Sequence, residues 1–454
     1  MTIRFTKSWN GYYEGQIVTN PAGGNTEAQL IALGYAVSDL DGPDNSFPLA
    51  HLATDTSGNV TGLVGPGGTT VPLGRTYTGL VASRCNVPSS IGGAGNPQAM
   101  ARSRHVAMDT ITSLKVVFGN WYVNSSFAEV GSGATATVEC SIEYPVGTYT
   151  RVTFSGSNAG SIASATNIVS DETAVSIPIG AAFFVRTYWL CSAGMPYTLG
   201  TNINNATGTS TVSGELFAYG SSVANAVMGG SINNAGVTTY FRPQAIIGRT
   251  KKVSWWLAGD SRLGQGATSN IDSASDVYGL VGELERILGK DYACLNAGRN
   301  GESLRNATTN YTLRSALSAY CSHVACEYGI NDFDAGGRSA ATVLADAVIF
   351  RALFSTKPFW QSTISPQSTG AWTLTDFSDQ TPKASNTARV AYNALVRYGS
   401  APFDGYFEVA DAVESARDSG KWKAPGYTAD GTHGIQLSML ALQAAAKIPT
   451  FNPC

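Results

Sequence analysis

The chain reads as a multidomain protein whose C-terminal part is a doubly wound α/β unit built on a five-stranded parallel sheet, preceded by a β-sandwich or jelly roll and a small N-terminal module. Two observations predict this. From about Thr76 to Gly248 the apolar pattern has a period of two and is broken by Gly, Ser and Asn turns, which is the mark of half-buried antiparallel strands. From about 249 to 454 short apolar runs alternate with helical patterns, as a parallel sheet with crossover helices requires. A length of 454 residues suits two to four domains, each able to bury a core.

Residues 1 to 70 are read as the small module and a linker. NTEAQLIALG is a short helix candidate, with Asn25 or Thr26 as cap, Leu30, Ile31 and Leu33 as its apolar side and Gly34 as its stop. Asp41 to Pro72 is rich in Gly, Pro, Asp and Thr and reads as a loosely folded connection.

Residues 71 to 248 are read as the sandwich. In ATVECSIEY, Val138, Cys140, Ile142 and Tyr144 point one way while Thr137, Glu139, Ser141 and Glu143 point the other. LKVVFGNWYV, YTRVTFSG, AVSIPIG and FFVRTYWLC continue the pattern. The aromatic residues Trp121, Tyr122, Tyr188 and Trp189 could stack on sugars, although aromatic side chains on strands more often belong to the core.

Residues 249 to 454 supply the alternation. VSWWLAG is followed by a helical pattern at Val277, Leu280, Val281, Leu284, Ile287 and Leu288, which Gly289 can end. Strand YACLNAG and helix TLRSALSAY come next, then strand HVACEYG and helix AATVLADAVIFRALF, strand FWQSTI and helix TARVAYNALVRY, and strand GYFEVAD with a last helix QLSMLALQAAA. The carboxyl ends of the first three strands carry GDS, NAGRNGES and GIND. In open α/β sheets that edge is where sites are built.

Charge excludes some partners. Only 13 % of residues are charged and the net charge is -3, with 50 glycines and 43 % hydrophobic residues, a balance common in β-rich extracellular or virion-type proteins. It offers no footprint for nucleic acid or an anionic membrane. No run of about eighteen apolar residues spans a bilayer, and the amino terminus MTIRFTKSWNGYYEGQ lacks the apolar centre of a signal peptide, so export by that route is not expected. Seven cysteines without CxxC spacing indicate neither a disulfide framework nor a zinc site. Cys321, His323 and Cys326 sit in or beside a buried strand, where alternate residues face opposite sides, and are not read as a metal cluster. Gly264 and Gly266, or Gly298 and Gly301, do not form a nucleotide-loop pattern, so no cofactor is expected.

GDS at Gly259 to Ser261, the NAGRNG stretch ending at Gly301, GIND at Gly329 to Asp332 and DGTH at Asp430 to His433 resemble, in order, the four signature blocks of the SGNH (GDSL-type) hydrolase family over roughly the last 200 residues. The resemblance implies a flavodoxin-like three-layer fold and ester hydrolysis through an acyl-enzyme. It matches Ser261 to the nucleophile, His433 to the base, Asp430 to the acid that orients it, and Ser261, Gly301 and Asn331 to the oxyanion hole. Arg262 departs from the smaller or apolar residue many members carry. It leaves open how polar the pocket mouth is. Gly298 is then a turn residue, and Asp332 is expected to cap the following turn.

The chemistry agrees with those roles. A serine hydroxyl needs a base, and imidazole titrates near working pH. Of the four histidines, His51 falls in the linker, His105 in the β-region and His323 at the start of a buried strand, which leaves His433 beside the sheet edge. Asp430 stands three residues away and can hold the ring locally, whereas Asp411, the rival carboxylate, would have to be brought in by tertiary structure.

The expected reaction is removal of O-acetyl or other short acyl groups from a polysaccharide, with lipid esters and thioesters as alternatives in the same family. A further alternative is an inactive virion protein that binds glycan through its sandwich. The short N-terminal segment also resembles modules of bacteriophage particle proteins, which would imply a phage or prophage product, cytoplasmic on expression or virion-associated, acting on a bacterial surface glycan. All catalytic candidates lie after about residue 246, so that fragment is expected to retain hydrolysis of a small ester provided the domain interface does not complete its fold.

Overall fold

The computed structural model describes residues 77–199, 214–233, 239–264, 280, 282–398, 402–423 and 425–445, together with short strands between residues 2 and 71. Residues 1–75 and 447–454 form one unit and residues 76–446 a second. In the first unit, Thr2–Phe5 pairs antiparallel with Ile17–Thr19 and Ala36–Ser38. His51–Thr54, Val60–Val64 and Thr70–Val71 form another antiparallel sheet inside the stretch read as a loose connection. Its apolar positions Val60, Leu63, Val64 and Val71 are enough to make short strands. The helix candidate at Asn25 to Gly34 lies outside the described residues.

Two antiparallel sheets share the core of the β-region. One is ordered Tyr149–Val152, Ala136–Glu143, Ala182–Leu190, Gln98–Val106, Leu216–Gly220, with Ala159–Ile162 also on Ala136–Glu143. The other is ordered Asn167–Val169, Ile111–Gly119, Ala245–Thr250, Tyr77–Leu80, with Thr173–Ile177 also on Ile111–Gly119. Phe118 of the second sheet and Trp189 of the first both pack on Phe241. Trp121 and Trp189 are fully buried, and the Trp121 Nε1–H donates to Asn167 Oδ1 at 2.6 Å. They are core residues and no platform for a sugar. Val138, Cys140 and Ile142 are buried as the alternation expects, but so are Ser141 and Glu143 of the opposite face. That face is covered by the segment around Val227, whose carbonyl accepts from the Ser141 hydroxyl at 2.5 Å, while Glu143 receives a bidentate Arg102.

A parallel sheet is ordered Gly405–Phe407, Phe359–Ser362, His323–Cys326, Ser254–Ala258, Ala293–Asn296, Cys85–Asn86. It has six strands, where the sequence reading counts five. The added edge strand is two residues from the β-region, too short for any periodicity to reveal. Ala258 lies opposite Cys326, and Leu257 opposite Asn296, so the first three α/β strands end together. Beyond them the ladder continues: Glu327 N–H donates to Ala258 O and Arg299 N–H to Gly259 O, each at 2.9 Å. Helix Ala340–Ala352 is capped by Ser339 and buries Ala340, Val343, Ala347 and Phe350. After Phe359–Ser362 the chain makes a hairpin of Ser368–Gly370 with Gln380–Pro382 before helix Asn386–Arg397, an excursion the strand-helix pattern does not contain.

The β-region and the parallel sheet are tied together within the second unit. Besides the Cys85–Asn86 strand, a hairpin of Trp121–Val123 with Glu129–Gly131 reaches the α/β part. The Glu129 carboxylate accepts from Leu313 N–H at 2.5 Å and Arg314 N–H at 2.8 Å, at the start of helix Thr312–Leu317, and pairs with the Arg314 guanidinium at 3.1 Å. Arg314 is fully buried between Glu129 and Glu302.

Asp260, Glu283 and Glu327 are buried where the strand ends meet helix Glu283–Leu288, as is Glu285, which accepts from the Asn296 amide at 3.1 Å. A Cβ on Gly259 would collide with the Glu327 side chain, so only glycine permits this approach. Burial pushes Asp260 up to about 6, against the pull of Arg262. Burial raises Glu283 as well. Glu327 is held well above the usual carboxylate range by burial first and then by Glu283 and Asp260.

Two outcomes follow. A fragment beginning at residue 246 loses the Cys85–Asn86 strand and Glu129, and should lack the cooperative thermal transition of the full chain; a fragment that melts as sharply, within about 3 °C of the full chain, would count against this. Glu327, with its folded pKa raised, is stabilising in its protonated form below the ordinary carboxylate pKa, and that stability drains away as pH rises toward the raised value. Glu327→Gln should therefore raise the melting temperature at pH 8 and change it little at pH 5. A gain that is larger at pH 5 would contradict the assignment.

Candidate active site

Ser261 stands in a turn immediately after strand Ser254–Ala258. The turn is closed by Gly264 N–H donating to Asp260 O at 2.6 Å and by Arg262 N–H donating to Asp260 Oδ1 at 3.0 Å. Next to it, Asn296 Oδ1 accepts from Gly298 N–H at 3.0 Å, and a Cβ on Gly298 would lie 2.9 Å from Gly264 N. Gly298 thus lets the second loop pack directly on the serine turn.

His433 lies in the loop before helix Gln436–Ala445. The Thr428 hydroxyl donates to His433 O at 2.8 Å and accepts from Gly431 N–H at 2.9 Å. Gly431, at φ +74°, packs on Ser368 O and Trp372, which leaves no room for a side chain. Asp430 Oδ1 accepts from the N–H groups of Thr432 and His433, both at 2.8 Å. Its Oδ2 stands 2.7 Å from His433 Nδ1, and His433 Nε2 stands 2.8 Å from Ser261 Oγ.

These two contacts set the tautomer. A carboxylate only accepts, so Nδ1 carries a proton toward Asp430 and Nε2 is left to accept from the serine hydroxyl. Partial burial would raise Asp430, but the His433 ring and the N–H groups of His433 and Thr432 outweigh it and hold the carboxyl well below its usual range. The Asp430 side chain is 44 % exposed and that of His433 19 %, so the chain of hydrogen bonds opens to solvent at its acid end. Asp411 is engaged elsewhere, by Arg397 at 3.0 Å and by Arg417.

Gly301 has φ +79°, a left-handed conformation that suits glycine, and the Phe127 ring is its near neighbour. Asn331, in the short helix Ile330–Phe333, donates its side-chain amide to Glu302 O at 3.0 Å. The two stretches expected to supply oxyanion donors are therefore hydrogen-bonded to each other. Asp332 does not cap the turn that follows it: its carboxylate accepts from Leu304 N–H at 2.8 Å and Arg305 N–H at 3.3 Å, at the start of helix Leu304–Ala307. That orphan helix end is the stronger claim on a buried acid.

Several neighbours carried no signal in the sequence. The Asn124–Ala128 loop of the β-hairpin brings Phe127 beside Gly301, and Asn124 O accepts from Arg299 Nε at 3.2 Å. Glu302 is buried and takes both Arg314 and the Tyr328 hydroxyl. Arg262, read as a residue of the pocket mouth, is 2 % exposed. Its guanidinium donates to Thr432 O at 3.1 Å, Ser365 O at 2.8 Å and Pro366 O at 2.9 Å. Among the described residues no group of three or more His, Cys, Asp or Glu could hold a metal ion, and no helix is long and apolar enough to cross a membrane.

No protein-family model matches the chain, and no curated protein matches it. Solved structures do. An acetyl xylan esterase variant from Geobacillus stearothermophilus is similar at 15 % identity over 43 % of this chain and 94 % of that chain, with a TM-score of 0.31. A lipolytic protein of the G-D-S-L family from Veillonella parvula is similar at 17 % identity over 42 % of this chain and 95 % of that chain, with a TM-score of 0.31. A lipase/acylhydrolase from Enterococcus faecalis is similar at 17 % identity over 42 % of this chain and 92 % of that chain, with a TM-score of 0.30.

Proposed function

We propose that the chain is a serine ester hydrolase that removes O-acetyl groups from a polysaccharide. The observation that carries this reading is the continuous hydrogen-bonded line from Asp430 through His433 to Ser261, at 2.7 and 2.8 Å. Ser261 Oγ attacks the ester carbonyl as its proton passes to His433 Nε2, and the ionised Asp430 holds the ring and stabilises the imidazolium. The negative charge on the tetrahedral oxygen is met by the Ser261 and Gly301 N–H groups and the Asn331 amide, each such donor being worth about 3 kcal/mol in comparable sites. His433 then returns the proton to the leaving sugar oxygen. Water, activated by the same imidazole, releases acetate and restores the serine.

Exposure and domain context bear on the substrate class. A triad whose acid opens to solvent suits an ester presented on a large polar polymer, and the β-region offers a second surface by which such a polymer could be held. The N-terminal resemblance to phage particle modules favours a bacterial surface glycan.

Ser261→Ala should lower turnover of a chromogenic acetate by roughly four to six orders of magnitude and abolish labelling by a fluorophosphonate, with the fold retained. Full activity in that variant ends the reading. Asp430→Asn should cost about four orders of magnitude in kcat, and Asp411→Asn far less; the reverse order would mean that a different acid serves His433. Acetate release measured across a set of acetylated polysaccharides tests the substrate, and activity on long-chain lipid esters alone would refute it.

A further inference from the structure

Arg262 occupies an unusual position for a cation. It follows the proposed nucleophile directly, it is 2 % exposed, and three acids, Asp260, Glu283 and Glu327, are buried around it. A guanidinium so placed would ordinarily fork onto a carboxylate. Here its directional bonds go to main-chain carbonyls, at Thr432, Ser365 and Pro366, 2.8 to 3.1 Å away, while the acids meet its charge without those bonds. The effect is to pin two other loops to the serine turn.

The geometry is paired. Ser261 bonds His433, and the next residue, Arg262, bonds the residue before it, Thr432. Ser365 and Pro366 open the segment whose Ser368 N–H donates to Gly431 O at 3.0 Å and whose Gln367 amide donates to the Thr432 hydroxyl at 3.1 Å. The histidine loop is thus held to the serine turn both directly and through residues 365 to 368.

We propose that Arg262 is a positioning residue of the hydrolytic site: its guanidinium sets the separation of Ser261 and His433 through Thr432 O, and its charge balances the acids buried at the serine turn. The proposal rests on the esterase reading above. Among the described residues, the charged groups around Arg262 are Asp260 on its own turn, Glu283 on the following helix, Glu327 at the end of the neighbouring strand and His433 with Asp430 on the facing loop. Arg389, paired with Glu414 at 2.5 Å and bonded to Ile364 O, stands beyond them.

The test uses the full chain with Arg262→Lys and Arg262→Gln, a chromogenic acetate and melting curves. Lysine keeps the charge but lacks the planar fork. Arg262→Lys should lower kcat about 10- to 100-fold with KM within about twofold, since a misplacement of this order costs that much in rate. Arg262→Gln also removes a cation facing the imidazole, so the acidic limb of its kcat/KM profile should move to higher pH. A residue that merely braced the fold would lower the melting temperature and leave that limb in place. Arg262→Lys with kcat within about threefold of wild type overturns the proposal, and so does an unmoved acidic limb in Arg262→Gln; if the latter does not fold, the kcat and KM of Arg262→Lys decide alone. Should wild type hydrolyse no ester and resist fluorophosphonate, the esterase reading fails. The positioning role is then read by NMR from the His433 ring protons, whose contact with Ser261 is lost in Arg262→Lys if the role holds and kept if it does not.

Discussion

Ser261 and His433 meet across 172 positions of sequence, and a single hydrogen bond, worth about 1 kcal/mol net, cannot bring two loops to that separation. The main chain on each side must already be in place. On the serine side it is set by the parallel register, which ends the Ser254–Ala258, Ala293–Asn296 and His323–Cys326 strands at one level and carries the ladder past them through Gly259 and Glu327. On the histidine side no strand does this work. The loop is built from its own short bonds around Thr428 and Asp430, and is then fastened to the serine turn by a buried cation.

The same constraint explains why the β-region is more than an appendage. The loop from Asn296 to Glu302 crosses between the serine turn and the β-hairpin, and takes contacts from both: Gly298 against Gly264, Arg299 on Asn124 O, Gly301 beside Phe127. Arg314, which holds Glu302, is itself held by Glu129 of that hairpin. Position at Gly301 therefore depends on residues on both sides of the 248 boundary read from the sequence. A boundary drawn from a change in periodicity marks where the secondary structure changes, and has no access to which groups satisfy a buried arginine.

What the sequence made legible is what depends on local pattern. The α/β strands and most of their helices follow from apolar spacing, and Ser261, Asp430 and His433 stand in the short blocks that carry the resemblance to the hydrolase family. Asp430 in particular lies within one turn of His433, so no tertiary knowledge was needed to prefer it to Asp411. The features that escaped are those settled by distant chain. Arg262 reads as a residue beside the pocket mouth until Thr432, Ser365 and Pro366 are folded over it; Asp332 looks like a cap for its own turn until helix Leu304–Ala307 presents its open N–H groups; Ser141 and Glu143 look solvated until the Val227 segment covers them. The Cys85–Asn86 strand is two residues long and has no pattern to detect.

Few residues of this chain are charged, yet many of those charges are buried, and the cation is repeatedly arginine. Arg84 with Glu215, Arg102 with Glu143, Arg314 with Glu302 and Arg389 with Glu414 are all buried pairs. A buried pair seldom adds net stability over an apolar one, but it tolerates only one arrangement, because removing either partner strands the other. Arginine suits this use better than lysine, since its planar fork fixes direction as well as charge. Arg262 departs from the others in dividing the two tasks. Its charge answers the acids beneath the serine turn, and its N–H groups hold loops of main chain by their carbonyls. The site proposed for catalysis is thus a place where this fold uses a buried cation to fix the backbone itself, as Arg186 does at Ala226 O and Gly230 O.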